Sequence, residues 1–351
     1  IREQMEMAGF QHVRTQRGFK TEPVSLNYIF TGSPGTGKTT IAKIIGKLNH
    51  AIGLLPKGQV IVSGRADLVG KFAGQTAPSV REKFIEALGG TLFIDEAYSL
   101  APSEHDDYGK EALATLVQEV EEKRGKMSCV LAGYTKEMKQ LVAANSGIKS
   151  RFSVIIEFPD YSNGELVEIL RGMAEQHDFK SSRELLGAAS IFLAYMKVKE
   201  EGNFGNARVV RNAYEAALRR MALRNSGKYD QPGALTDFAP EDLPFEKEMG
   251  VKFSDINFSQ FSWEGKDGDQ KKNLTFDELP VNGSFPELSA DSVELIRAIY
   301  QTQQIEKAGI DFDDVDIGDE IPAEPELPPA GNVTTAQQTP ASSTENTGAR
   351  A

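Results

Sequence analysis

Short apolar runs alternate with amphipathic stretches through the first half of the chain, and from residue 162 the strand-like runs nearly stop. The runs 25–31, 59–63, 90–94, 128–134 and 154–158 have strand length and are apolar at most positions, the texture of strands buried on both faces. Between them, 40–48, 79–88, 109–122 and 135–143 carry apolar residues at helical spacing. In 109–122, Ala112, Leu113, Leu116, Val117 and Val120 share one face. Strand and helix in turn from 25 to 158 predict an α/β fold, a parallel sheet sandwiched by helices. Ahead of it, 1–21 is helical at its start, with Ile1, Met5 and Ala8 near one face.

The second half has a different texture. The stretches 162–177, 181–201 and 207–225 are helical and predict a small all-helical domain, with Gly202-Asn203-Phe204-Gly205 as the turn before its third helix. Periodicity weakens over 226–288, and the polar stretch 265–273 reads as a loop. A last helix is expected over 289–307, capped by Ser289, with Val293, Ile296, Ile299 and Tyr300 on one face. Residues 311–351 are acidic, then rich in Pro, Thr, Ser and Ala, and are expected to be disordered because they hold too little apolar surface to offset the entropy of ordering. The expected organisation is an α/β domain over 1–160, a helical lid over 161–227, an extension over 228–310 and an acidic tail over 311–351. The chain opens without methionine inside a helical pattern, as a fragment of a longer protein or a processed form would.

Composition narrows the function classes. No apolar run approaches the ~18 residues of a membrane span. Cys129 is the single cysteine, so no intrachain disulfide can form, and a reducing, cytoplasmic setting is expected. His12, His50, His105 and His177 are scattered and lack cysteine neighbours, which argues against a zinc site. The net charge of −12 is uneven: 9 acidic residues face 1 basic over 311–351, and 15 face 7 over 235–310. Residues 1–234 are thus slightly basic, with no strong basic face or basic–aromatic patch for nucleic acid.

The chemistry concentrates in Gly32-Ser33-Pro34-Gly35-Thr36-Gly37-Lys38-Thr39, which fits G-x-x-x-x-G-K-[ST] between a strand and a helix opening at Thr40. Its glycines let successive N–H groups curl around phosphate oxygens. Lys38 is placed to reach the outer phosphates, and the Thr39 hydroxyl to ligate Mg²⁺. Asp95 and Glu96 end the strand 90–94. There an aspartate can hold Mg²⁺ and a glutamate can polarise the attacking water, although the pair also suits a helix cap. Tyr134, at the end of another strand, is expected near the phosphates. Phe72, between glycines in a loop, either serves a surface function or tucks under its own loop.

These features in this order resemble an AAA+ ATPase of the P-loop NTPase fold, and more closely the CbxX/CfqX group. That group includes red-type Rubisco activases and the stage V sporulation protein K type, and is similar to the ATPase domain of the type VII secretion protein EccA. The resemblance is carried by Phe30-Thr31-Gly32 into Pro34–Thr40, Asp67-Leu68-Val69-Gly70, Gly74-Gln75-Thr76-Ala77-Pro78, Leu92-Phe93-Ile94-Asp95-Glu96-Ala97-Tyr98, Leu131-Ala132-Gly133-Tyr134 and Glu157-Phe158-Pro159-Asp160-Tyr161. It covers roughly residues 1–225. It implies ATP and Mg²⁺ as cofactors, held by the loop with Thr40, Tyr134 at the sensor-1 place and Arg208 as sensor-2, with Arg211 the second candidate. It implies Arg151 as an arginine finger toward a neighbouring subunit, with Lys149 the alternative cation. It puts Phe72-Ala73-Gly74 in the place of an aromatic pore loop that grips a polypeptide.

The reading that follows is an ATP-hydrolysing remodelling chaperone. It would form a homo-oligomer, a hexamer by resemblance, or a hetero-oligomer with a paralogue, and act on a protein partner. The alternative is an ATP-regulated scaffold with slow hydrolysis. A pure binding switch could lose Glu96 and Arg151, and this chain has both.

Overall fold

The computed structural model describes residues 2–21, 25–72, 74–101, 106–267 and 270–307. The expected acidic tail, together with His105 and Ala73, lies outside them.

Five parallel strands form the first sheet: β1 (Tyr28–Gly32), β2 (Val60–Ser63), β3 (Thr91–Ile94), β4 (Ser128–Gly133) and β5 (Val154–Phe158), in the order β2-β3-β4-β1-β5. Strict alternation splits their side chains between two cores. Ile29, Leu92, Ile94, Cys129 and Leu131 enter one, while Tyr28, Phe30, Phe93, Val130 and Ala132 enter the other. Both faces are buried, so β1, β3 and β4 are apolar at nearly every position.

The helices of this half are α1 (Arg2–Gln16), α2 (Lys38–Ala51), α3 (Arg65–Leu68), α4 (Thr76–Glu86), α5 (Asp107–Glu122), α6 (Thr135–Ala144) and α7 (Ser146–Arg151). α4 starts earlier than periodicity predicts and tolerates Pro78 in its first turn, where no intrahelical donor is lost. α7 is an addition to the sequence reading. The Asn145 side chain caps it by accepting from the Ile148 N–H at 3.1 Å.

A third core organises the second half. It gathers α8 (Asn163–Glu175), α9 (Arg183–Lys199) and α10 (Ala207–Arg224). Residues Leu185 to Met196 of α9 are all buried, which explains why that helix is apolar all round. The chain after α10 belongs to the same core. α11 (Phe245–Met249) supplies Phe245 and Met249; β6 (Trp263–Asp267) supplies the fully buried Trp263; α12 (Ala290–Lys307) supplies Ile296. The Trp263 indole donates to Ser190 Oγ on α9 at 3.0 Å.

The polar stretch 265–273 is not the loop its composition suggests. β6 pairs antiparallel with β7 (Gln270–Leu274) and with β8 (Glu287–Leu288), Trp263 standing opposite both Leu274 and Leu288. Anchoring at the apolar end of the ladder, not local alternation, makes the hairpin. β8 in turn fastens α8. The Glu287 carboxylate accepts from Ser162 Oγ and from the Gly164 N–H, capping the helix from outside.

Two outcomes follow. Trp263→Ala should cost about 3–5 kcal/mol by emptying the third core; denaturant unfolding followed by circular dichroism measures it, and a loss under about 1 kcal/mol would contradict the packing. Burial pushes the Cys129 thiol well above its ordinary pKa. A thiol reagent should therefore find no reactive group in the native described fold and one after denaturation.

Candidate functional site

β3, β4 and β1 are adjacent in the sheet, so the segments leaving their carboxyl ends meet: Asp95-Glu96, Gly133-Tyr134 and the loop 32–39. They line a cleft of about 460 Å³, closed on the other side by Met173 of α8 and by Ala207, Arg208 and Arg211 of α10. The structure thus brings together most of the sequence-derived site. Pro34 to Thr40, Asp95, Glu96, Tyr134 and Arg208 share one cavity, and Arg211 shares it too.

The loop turns through left-handed positions at Gly35 (φ 72°) and Gly37 (φ 89°). At Gly35 a side chain is also excluded by space, because a Cβ would fall 2.2 Å from the Gly205 carbonyl oxygen. α2 begins directly after Gly37, with no acidic residue in its first turn, and its leading N–H groups have no intrahelical acceptor. Lys38 Nζ donates back to the carbonyls of Gly32 (2.9 Å) and Ser33 (2.8 Å). Burial lowers its pKa below the usual lysine value. Asp95 and Asp160 oppose that shift, and the Arg208 charge adds to it.

Asp95 is fixed by its own N–H, which donates to the Ser63 carbonyl of β2 at 2.8 Å, and its Oδ1 accepts from the Glu96 N–H at 3.1 Å. Glu96 adopts a left-handed conformation (φ 49°, ψ 42°), costly for a residue with a Cβ by about 1 kcal/mol or more. The expectation that the pair caps a helix is met only in part: Glu96 precedes a single 3-10 turn, Ala97–Leu100, and its side chain makes no cap bond.

Tyr98 is a site residue that the sequence reading did not single out. Its ring stacks on Tyr134 (centroids 5.4 Å apart, 27° between planes) and lines the cleft. Its phenol is pushed up to about 12, first by burial and then by the Glu96 charge, so it stays a neutral donor throughout the neutral range. Gly133 makes room for it, since a Cβ there would lie 2.6 Å from the Tyr98 ring.

The expected finger cations and the loop at Phe72 lie outside the lining of this cleft. Arg151 ends α7 at the amino ends of the strands: its carbonyl accepts from Ser25 Oγ and Asn27 Nδ2, both at 3.3 Å and both ahead of β1. Its guanidinium sits 3.0 Å from the Glu121 carboxylate and donates to the Gly147 carbonyl at 3.3 Å. β1 separates Arg151 from the loop, five residues or roughly 16 Å at ~3.3 Å per residue. Lys149 is exposed beside it. Phe72 is 69 % exposed and so does not tuck under its loop, while Gly74 takes φ 79°.

The donor set suits a polyphosphate and a hard cation. Lys38, Arg208, Arg211 and the free amides of α2 could bind phosphate oxygens, and the Thr39 hydroxyl and Asp95 carboxylate could hold Mg²⁺. Among the described residues, no group of three or more His, Cys, Asp or Glu side chains is placed to hold a metal ion without such a ligand.

Comparison with known proteins agrees. Residues 28–160 match the family described as ATPase family associated with various cellular activities (AAA), and residues 162–252 match an AAA lid domain. The chain is 42 % identical to stage V sporulation protein K of Bacillus subtilis over 60 % of this chain and 66 % of that protein. It is 39 % identical to protein CbbX of Cereibacter sphaeroides (69 % and 79 %) and 38 % identical to a chloroplastic ribulose bisphosphate carboxylase/oxygenase activase of Cyanidioschyzon merolae (64 % and 76 %). Phosphate loop, acidic strand end, helical lid and these relatives converge: the chain belongs to the AAA+ ATPases, in the CbxX/CfqX group.

Proposed function

We propose that this protein is an ATP-driven remodelling chaperone whose hydrolytic sites are completed between subunits. The observation that supports this best is the distance of Arg151 from its own phosphate loop. A guanidinium at the amino ends of the strands cannot serve the site at their carboxyl ends, but it can serve a neighbour's in a head-to-tail ring. A hexamer is the ring proposed by resemblance.

In this reading the loop 32–39 and the first turn of α2 bind the phosphates. Lys38 leaves the Gly32 and Ser33 carbonyls for the outer phosphate oxygens. Mg²⁺, held by Thr39 and Asp95, would neutralise phosphate charge. The Glu96 carboxylate orients and polarises the attacking water and takes up its proton. Tyr98 and Tyr134, stacked beside Glu96, hold its surroundings. Arg208 reports the nucleotide to the lid. Phe72, with Ala73 and Gly74, contacts the protein partner. No helix among the described residues is long and apolar enough to cross a membrane.

The scaffold reading draws on one feature, the Glu121–Arg151 pair, which occupies the finger within the single chain and would keep hydrolysis slow before assembly.

Lys38→Ala should abolish nucleotide binding by titration calorimetry, whereas Glu96→Gln should bind ATP with little loss and leave it uncleaved. Retained affinity in the first, or wild-type turnover in the second, would overturn those roles. For the finger, ATPase rate per subunit should climb with protein concentration as light scattering reports assembly. Arg151→Ala should lower the assembled rate by about 10³-fold with ATP affinity kept. A normal rate in that variant would move the finger to Lys149, and a flat, slow rate in the wild type would favour the scaffold.

A further inference from the structure

The outer side of the phosphate loop is held by the lid and its linker. Three successive loop carbonyls each accept a hydrogen bond from that side: Pro34 from Asn206 Nδ2 (3.3 Å), Gly35 from the Ala207 N–H (3.3 Å) and Thr36 from the Tyr161 hydroxyl (3.2 Å). Gly37 is close as well, since a Cβ there would lie 3.1 Å from the same hydroxyl.

Asn206 is built into this position at a cost. It is fully buried, and its backbone (φ 49°, ψ −126°) lies where glycine is favoured. Such a conformation costs on the order of 1–3 kcal/mol and persists only where surrounding contacts enforce it. Here they do. Its Nδ2 also donates to Asp160 Oδ1 (2.9 Å) and the Phe204 carbonyl (3.3 Å), while its Oδ1 accepts from the Tyr161 N–H (3.0 Å). One side chain therefore joins the phosphate loop, the 160–161 linker and the start of α10. Lys197 of α9 completes the junction by donating to the Tyr161 carbonyl at 3.0 Å.

We propose that Asn206 and Tyr161 are positioning residues that set the conformation of the phosphate loop from the lid side, and that this junction is where nucleotide affinity is linked to the lid in this chain. The proposal rests on the nucleotide-binding reading above. Neither side chain is asked to touch the nucleotide. Both hold the backbone whose inner face does. Because coupling is reciprocal, nucleotide must tighten this junction by as much as the junction tightens nucleotide.

The test uses the full chain with ADP as probe, reading affinity by calorimetry and amide exchange over 203–212, which includes the Ala207 N–H. Tyr161→Phe removes one oxygen and keeps the ring. Asn206→Gly keeps the backbone conformation and removes the clamp. ADP should slow exchange over 203–212 in the wild type. Tyr161→Phe should bind ADP about 3- to 10-fold more weakly, the worth of one hydrogen bond, Asn206→Gly at least as weakly because it gives up four, and both should lose most of that slowing even at saturating ADP. Should Asn206→Gly fail to fold, Tyr161→Phe decides alone. Wild-type affinity together with wild-type slowing in Tyr161→Phe would overturn the proposal while leaving nucleotide binding intact. A wild type that binds no ADP would overturn the nucleotide reading itself, and the proposal with it.

Discussion

Parallel pairing of β3, β4 and β1 is the constraint on which the rest depends. In a parallel sheet all carboxyl ends lie on one edge, so three segments far apart in sequence open onto one cleft without any need to fold toward one another. The pairing is rigid because both faces of these strands are buried, in two separate cores. Chemistry sits where the strands stop, and the strands are placed by side chains that take no part in it.

The cleft brings charges of both signs together. Lys38 is half-buried and folded onto its own loop, with Arg208 and Arg211 facing it from α10. Asp95 and Glu96 stand against these cations at the end of β3. Of these cations Lys38 already has partners, the Gly32 and Ser33 carbonyls, which an anion drawing its ammonium away would have to replace. The same economy holds at Arg151, whose pairing with Glu121 spares an unpaired guanidinium in the single chain.

Much of this was legible in the sequence because it is local. The loop 32–39 announces itself by residue types at fixed offsets, and the acid pair by its place at a strand end. The apolar runs disclosed the strands but not their order, since β2-β3-β4-β1-β5 depends on pairings tens of residues apart. Residues whose roles were not legible share that cause, even where they stand in the quoted motifs. Tyr98 matters through Tyr134, Tyr161 through Thr36, and Asn206 through Pro34, separations of up to 172 positions. The hairpin of β6 and β7 was hidden for a related reason: its anchors, Trp263, Leu274 and Leu288, sit at one end of a ladder whose middle is polar.

The third core carries a consequence for modularity. The lid match ends at residue 252, yet Trp263, Leu279, Phe285, Leu288 and Ile296 complete the hydrophobic interior of α8, α9 and α10. A recombination point at the family boundary would divide one interior between two parents. The lid of this chain is thus not a part that can be cut out at residue 252 with its interior whole. The unit that would have to move together reaches α12, whose Ile296 closes the same interior.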